Sequence, residues 1–417
     1  MKAAVLAVAL AACQYEGQFP CTQSEQCRIG DSAGTCEQAG WCSVHDDVCD
    51  SGRRFDVTAG DNLAGTCVPG PAGCVGWTSH LFKPCGLSPP SGNLTLDALY
   101  GYDTTTGTLT DLVTMAKIPQ PSTVVDGVRY LSVQDVTLSA AAVLRVTGDK
   151  PLVIAAWGSM SIVGTIDAGS HANVSGAGAD PTDLCGPAAS GNGSDVTSSS
   201  LGGGGGGGGF QGAGGAGGIS GTAGKAVTEP PTIRGGCPGG RSGKAGTTAV
   251  SPATAATSAP GGHGGGGLVL SARLALTIDG VINVGGEGGD GSPMGAGCGG
   301  GGGGSGGMLV LEGSPVELHG TAQAAGGGGG GVALRSGAGG KGKDATVTGA
   351  AGAAGGTNCT TTGGAGSTPT SLAGSGGGSG LCGGAGGGGG SGWILVVTDN
   401  FDQVGAMVSP APSIYPI

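Results

Sequence analysis

The stretch Met160-Ser161-Ile162-Val163-Gly164-Thr165-Ile166-Asp167-Ala168 recurs as Leu276-Thr277-Ile278-Asp279-Gly280-Val281-Ile282-Asn283-Val284 and as Val316-Glu317-Leu318-His319-Gly320-Thr321-Ala322-Gln323-Ala324. With h for an apolar residue, all three read h-x-h-x-G-x-h-[DNQ]-h. Apolar positions alternate at period two on both sides of the glycine, which describes two short strands turning one face inward around a tight bend. An apolar run precedes each copy: Leu152–Ala156, then Leu268-Val269-Leu270, then Met308-Leu309-Val310-Leu311. A fourth run, Trp393–Val397, leads into Gly405-Ala406-Met407, where the pattern is degraded in the manner of a terminal repeat. One such unit cannot bury its apolar face alone, but stacked copies can. The pattern therefore predicts an all-β fold, a parallel β-solenoid or β-helix over residues 151–417. A threonine-rich lead-in with the first strands, such as Val143-Leu144-Arg145-Val146, precedes it over 91–150.

The copies are unevenly spaced, and glycine-rich inserts fill the gaps, with runs at 202–209, 299–304, 326–331 and 386–390. Two states are open to such runs. They can be flexible coil, because glycine loses the most entropy on ordering. They can also form polyproline-II-like helices that lie side by side, since no Cβ keeps them apart. The second arrangement resembles the polyglycine sandwich of some phage tail-tip adhesins. It is favoured because the runs abut the strand repeats and lack the charges that keep a segment disordered.

Composition narrows the alternatives. Of 417 residues, 100 are glycine and only 3% are aromatic, so large side chains cannot fill a conventional interior. Glycine keeps no strict period of three, and the 22 prolines are too few for collagen. The 17 Lys and Arg form no cluster in a chain of net charge −11, which argues against nucleic acid as a partner and against electrostatic docking on anionic lipid.

At the amino terminus, Met1-Lys2 and the apolar run at 3–10 read as a signal-peptide core, too short to span a bilayer. The following Leu10-Ala11-Ala12-Cys13 resembles the bacterial lipobox. That resemblance implies removal of residues 1–12, acylation of Cys13 and anchoring in a membrane, with each buried methylene contributing ~0.8 kcal/mol. By the same resemblance Gln14, which is not the aspartate of inner-membrane retention, implies an extracytoplasmic address at the outer membrane or cell surface. An ordinary secretory signal is the alternative.

Eight of the 14 cysteines, Cys21, Cys27, Cys36, Cys42, Cys49, Cys67, Cys74 and Cys85, crowd into a module at 13–90. No CxxC pair occurs, so zinc-ribbon spacing fails and an oxidising compartment with disulfides is the better account. The pairing is open, since eight cysteines allow about 105 connectivities. The module resembles the Cys-rich heads of uncharacterised bacterial glycine-rich lipoproteins, which implies a disulfide framework and no activity. In the body, proximity in sequence suggests Cys185 with Cys237 and Cys359 with Cys382, leaving Cys298 over.

Motifs that look chemical fail at decisive positions. The phosphate-loop look-alike ending Lys341-Gly342-Lys343 continues into Asp344 where Ser or Thr must hold magnesium. Gly285-Gly286-Glu287-Gly288-Gly289-Asp290 starts a calcium β-roll nonapeptide, but a single copy reads as a solvated turn. His45-Asp46-Asp47 likewise reads as a turn. Gly262-His263-Gly264 resembles the GHG of polygalacturonases without their paired aspartates and Arg-x-Lys. His80, His171, His263 and His319 all read as isolated. The sequence thus nominates no catalytic residue, no metal ligands and no cofactor. A non-enzymatic surface protein of structural or adhesive role is expected, with surface glycans or other envelope proteins as partners. A polysaccharide-acting β-helix lyase or glycosidase is the alternative.

Overall fold

The computed structural model describes residues 18–417 except 30–31, 38, 47, 50, 71–73, 75–76, 197–200, 246–256, 294–297, 333–337, 353–360 and 381–382. The signal segment, Cys13, Cys359 and Cys382 lie outside the described residues. The chain divides into two units, one running to Trp77 and including Lys83–Leu87, the other comprising Thr78–Phe82 and Ser88–Ile417.

The first unit is disulfide-rich. Its cysteines pair Cys21–Cys36, Cys27–Cys42, Cys49–Cys67 and Cys74–Cys85. An antiparallel sheet of Thr35–Cys36, Cys42–His45 and Arg53–Phe55 is the main regular structure. Among the described residues its apolar clusters are Cys21, Cys27 and Cys42 with Cys36, and Phe55, Ala59 and Val68 with Trp41 and Leu63 against them. So small a core needs covalent help, and disulfides closing loops of this length contribute about 2–4 kcal/mol each.

The second unit is nearly all β and mostly parallel. Five successive passages each supply one strand to each of three sheets. The passage holding the quoted motif runs Leu152–Ala156, Met160–Ile162, Thr165–Asp167. Below it lies Val128–Val133, Val136–Leu138, Val143–Thr147, and above it Gly267–Ala272, Leu276–Ile278, Val281–Asn283. Then come Met308–Glu312, Val316–Leu318, Thr321–Gln323 and finally Trp393–Val397, Phe401–Asp402, Met407–Ser409. Register is strict: Ile154, Leu270, Leu311 and Val396 stack in one column, and Ile166, Ile282 and Ala322 in another. Alternate residues of all three sheets face a core of Leu, Ile, Val, Ala and Met with Tyr100 and Tyr102, almost all of it without solvent contact. Residues 91–150 belong to these same sheets.

The motif glycine marks the corner between the second and third sheets. A Cβ on Gly164 would come within 2.3 Å of the Ala142 carbonyl oxygen, on Gly280 within 1.9 Å of that of Gly164, and on Gly320 within 2.0 Å of that of Gly280. The corner is built by backbone resting on backbone, which is why the repeat preserves glycine there.

The glycine runs are buried and ordered by hydrogen bonds to one another. Along 204–209 the N–H partners change with a period of three. Gly204 and Gly207 donate to Gly218 and Gly215, Gly205 and Gly208 to Gly300 and Gly303, Gly206 and Gly209 to Gly191 and Ala188, at 2.8–3.0 Å. The next run repeats the pattern: Gly300, Gly303 and Gly306 donate to Gly384, Gly387 and Gly390, while Gly301 and Gly304 donate to Asp290 and Glu287. A chain with three residues per turn points its N–H groups in three directions, so each run can bond three neighbours. Each N–H of 204–209 and 300–304 is thereby bonded without a sheet. Close approach makes glycine obligatory: a Cβ on Gly302 would sit 1.9 Å from Gly206 O, and on Gly386 1.8 Å from Gly301 O. Each bond contributes roughly 1 kcal/mol net, about what ordering a glycine opposes. The network therefore depends on anchors such as the disulfide Cys185–Cys237 and fully buried Phe210, over whose ring the Arg234 guanidinium lies at 4.7 Å.

Candidate functional site

The [DNQ] position of the repeat places Asp167, Asn283 and Gln323 side by side on the third sheet, with Arg145 in register beside Asp167. Their side chains form a continuous polar ladder. Arg145 Nη1 lies 3.0 Å from Asp167 Oδ2, Asn283 Nδ2 donates to Asp167 Oδ1 at 2.7 Å, and Gln323 Nε2 donates to Asn283 Oδ1 at 2.6 Å.

His171 joins this ladder to the loop beyond the glycine run. Its Nε2 lies 3.1 Å from Asp167 Oδ1 and its Nδ1 3.3 Å from Asp344 Oδ2. Asp167 and then Asp344 raise the imidazole pKa to about 9 against the opposing effect of burial. Burial alone would push both carboxyls up, but hydrogen bonding to His171 and neighbouring positive charge hold them below the ordinary range. Both imidazole nitrogens are thus engaged by carboxylates, and Asn283 Nδ2 also lies 3.1 Å from Nε2.

A second group lies on the glycine-rich side. Glu287, only 1% exposed, accepts from Asn173 N at 2.7 Å and from Lys341 Nζ at 2.6 Å through Oε1. His263 Nδ1 is hydrogen-bonded to Asp180 Oδ2, and Gly264 N donates to Asp180 Oδ1 at 2.8 Å. Asp180 raises the His263 pKa, burial opposing it. Nε2 of His263 has no hydrogen-bond partner among the described residues.

The expectation of isolated histidines is corrected by these pairs. His319 Nδ1 lies 3.0 Å from Asp279, with Asp402 beyond its other nitrogen, and His80 Nε2 lies 2.9 Å from Glu229 while its ring stacks on Tyr415. Apart from Asp167, four residues before His171, these partners lie as much as 173 residues away in sequence, where no local pattern announces them. The motif look-alikes find plain roles. Asp344 accepts from Gly288 N as well as meeting His171, and Glu287 and Asp290 both take Lys341. Asp46 pairs with Arg54, and Asp47 lies outside the described residues. Cys298 is buried. The Sγ atoms of Cys21, Cys27 and Cys42 lie within 4.8 Å of one another because two disulfides meet there.

No helix among the described residues is long and apolar enough to cross a membrane. No protein-family model, curated protein or solved structure matches the chain.

Proposed function

We propose that the protein is a non-enzymatic, extracytoplasmic surface protein with a structural or adhesive role, in which a β-solenoid carries a polyglycine-II bundle. The observation that carries this reading is the period-three hydrogen bonding among glycine runs, together with backbone contacts too close for any side chain. Such a bundle is stiff and offers little chemistry of its own, properties that suit a scaffold. Five disulfides among the described residues support an oxidising compartment. Acylation of Cys13 and residence at the outer membrane or cell surface belong to the same proposal, with surface glycans or envelope proteins as partners. Cys13→Ser is expected to release the protein from the membrane fraction; retention would count against the anchor. The purified chain, applied to arrayed glycans and envelope polymers, is expected to bind without turnover. If it binds none of them, the adhesive role fails.

A second reading rests on the Asp180–His263 pair with its open Nε2, which suits acid–base work on a polysaccharide. New reducing ends or unsaturated sugars, abolished by His263→Ala, would replace the scaffold reading with a lyase or glycosidase.

A further inference from the structure

Residues 168 positions apart bring an amine, a carboxamide and a buried carboxylate together. Lys341 Nζ lies 3.4 Å from Asn173 Oδ1 and 2.6 Å from Glu287 Oε1. Asn173 is held in place. It occupies a tight turn closed by reciprocal backbone bonds between His171 and Val174, with Ala172 and Asn173 at φ of 51° and 63°, and its own N–H donates to Glu287 Oε1 at 2.7 Å. Glu287 is 1% exposed and also lies 3.5 Å from the backbone N–H of His263, so the carboxylate has little freedom to move. The amine therefore approaches a carboxamide whose backbone cannot swing away, beside a group able to take and return a proton.

We propose that Lys341 and Asn173 form an intramolecular isopeptide bond, with Glu287 as the proton-transfer group. Lys341 passes one proton to Glu287, and the freed lone pair forms the Nζ–Cγ bond. A second amine proton moves to the carboxamide nitrogen as the Cγ–Nδ2 bond breaks. Ammonia leaves and takes the proton from Glu287, so the products are the amide, ammonium and the original carboxylate. The step needs no oxidant or cofactor. Burial favours the neutral amine, but Glu287 and then Asp290 raise the Lys341 pKa overall, with Asp344 and His263 as the other titratable groups that sense its charge. The reactive form is thus the minority, and the reaction quickens as pH rises. The link would tie the 171–174 turn of the sheeted part to the loop that follows the glycine run at 326–331, a covalent reinforcement independent of what the protein binds.

The test uses the full chain, folded as judged by circular dichroism, sampled over time at neutral pH and at about pH 9. Digestion and tandem mass spectrometry are expected to reveal a branched peptide joining positions 173 and 341, lighter by one ammonia than its separate parts. Its fraction should rise with time and pH, and it should be absent from Lys341→Arg, which keeps the ion pair with Glu287, and from Glu287→Gln. Absence of the branched peptide under all conditions overturns the proposal. So does ammonia loss at Asn173 that persists in Lys341→Arg, because that signals cyclisation of Asn173 onto its own backbone.

Discussion

Gly280 rests on Gly164 so closely that a Cβ at position 280 would lie 1.9 Å from the Gly164 carbonyl oxygen, and Gly320 repeats the contact on Gly280. The obstacle is backbone, which cannot rotate aside as a side chain would. Gly280→Ala must separate two passages whose columns are otherwise in register over all three sheets. A loss of about 3 kcal/mol or more is expected, at or beyond the upper range for overpacking a core. Urea unfolding checks it: a midpoint unchanged from wild type would mean that the corner relaxes freely.

Gly302, inside a hydrogen-bonded run, and exposed Gly376, outside those runs, differ in the space around them. A Cβ on Gly302 would meet Gly206 O at 1.9 Å, whereas on Gly376 the nearest contact is Ala216 O at 3.5 Å. Gly302→Ala should raise amide exchange at Gly208, which donates to Gly303, and at Gly302 itself, which donates to Gly240. Gly376→Ala should leave exchange as it is and change stability by no more than about 0.5 kcal/mol. Equal effects of the two substitutions would show that close packing does not order the runs.

How far the sequence reveals this fold depends on which contacts are local. The motif around Gly164, Gly280 and Gly320 exposes three passages because its corner is short and its alternation is regular. Of the passage over Val128–Val133, Val136–Leu138 and Val143–Thr147 only the strand at Val143–Val146 is legible, since Ser139-Ala140-Ala141-Ala142 replaces the glycine corner and shifts the spacing. The [DNQ] position is visible as a pattern, yet its meaning, a ladder across strands, appears only when Asp167 and Asn283, 116 residues apart, lie side by side. The glycine runs show no partner in sequence, because backbone bonding leaves no side-chain trace of which run meets which. Charge pairs such as His171 with Asp344 are invisible for a related reason: one surface residue facing another needs no local pattern.

Glu312, at the end of its strand, is buried with Oε1 accepting from Ser79 Oγ and His80 N, both at 2.9 Å. Its Oε2 has no partner among the described residues. Burial pushes the carboxyl pKa up, against the opposing influence of Ser271, His80 and Ser79. A raised folded pKa means that stability is complete below the ordinary carboxyl pKa of 4.5 and declines as pH rises through the folded value. Glu312→Gln keeps an acceptor for Ser79 and His80 and cannot ionise. The variant should match wild type in acid and exceed it in thermal midpoint at neutral and alkaline pH. A variant less stable than wild type at every pH would show that the charged form is favoured.

His171 supplies the converse pH dependence from an ion pair. Its pKa rises from the ordinary 6.5 to about 9 in the folded protein, first through Asp167 and then through Asp344. A raised histidine pKa stabilises fully below about pH 6.5, and the contribution fades as pH climbs toward 9. The side chain is about one-third exposed, so solvent screening limits the contribution to on the order of 1 kcal/mol. His171→Gln retains hydrogen-bonding capacity without the charge, so it should be less stable than wild type at about pH 6, with the gap closing by about pH 10. Denaturant titrations of both proteins across that range measure the gap directly. A gap that stays constant would mean that His171 acts through packing, and that Asp167 and Asp344 meet a neutral ring.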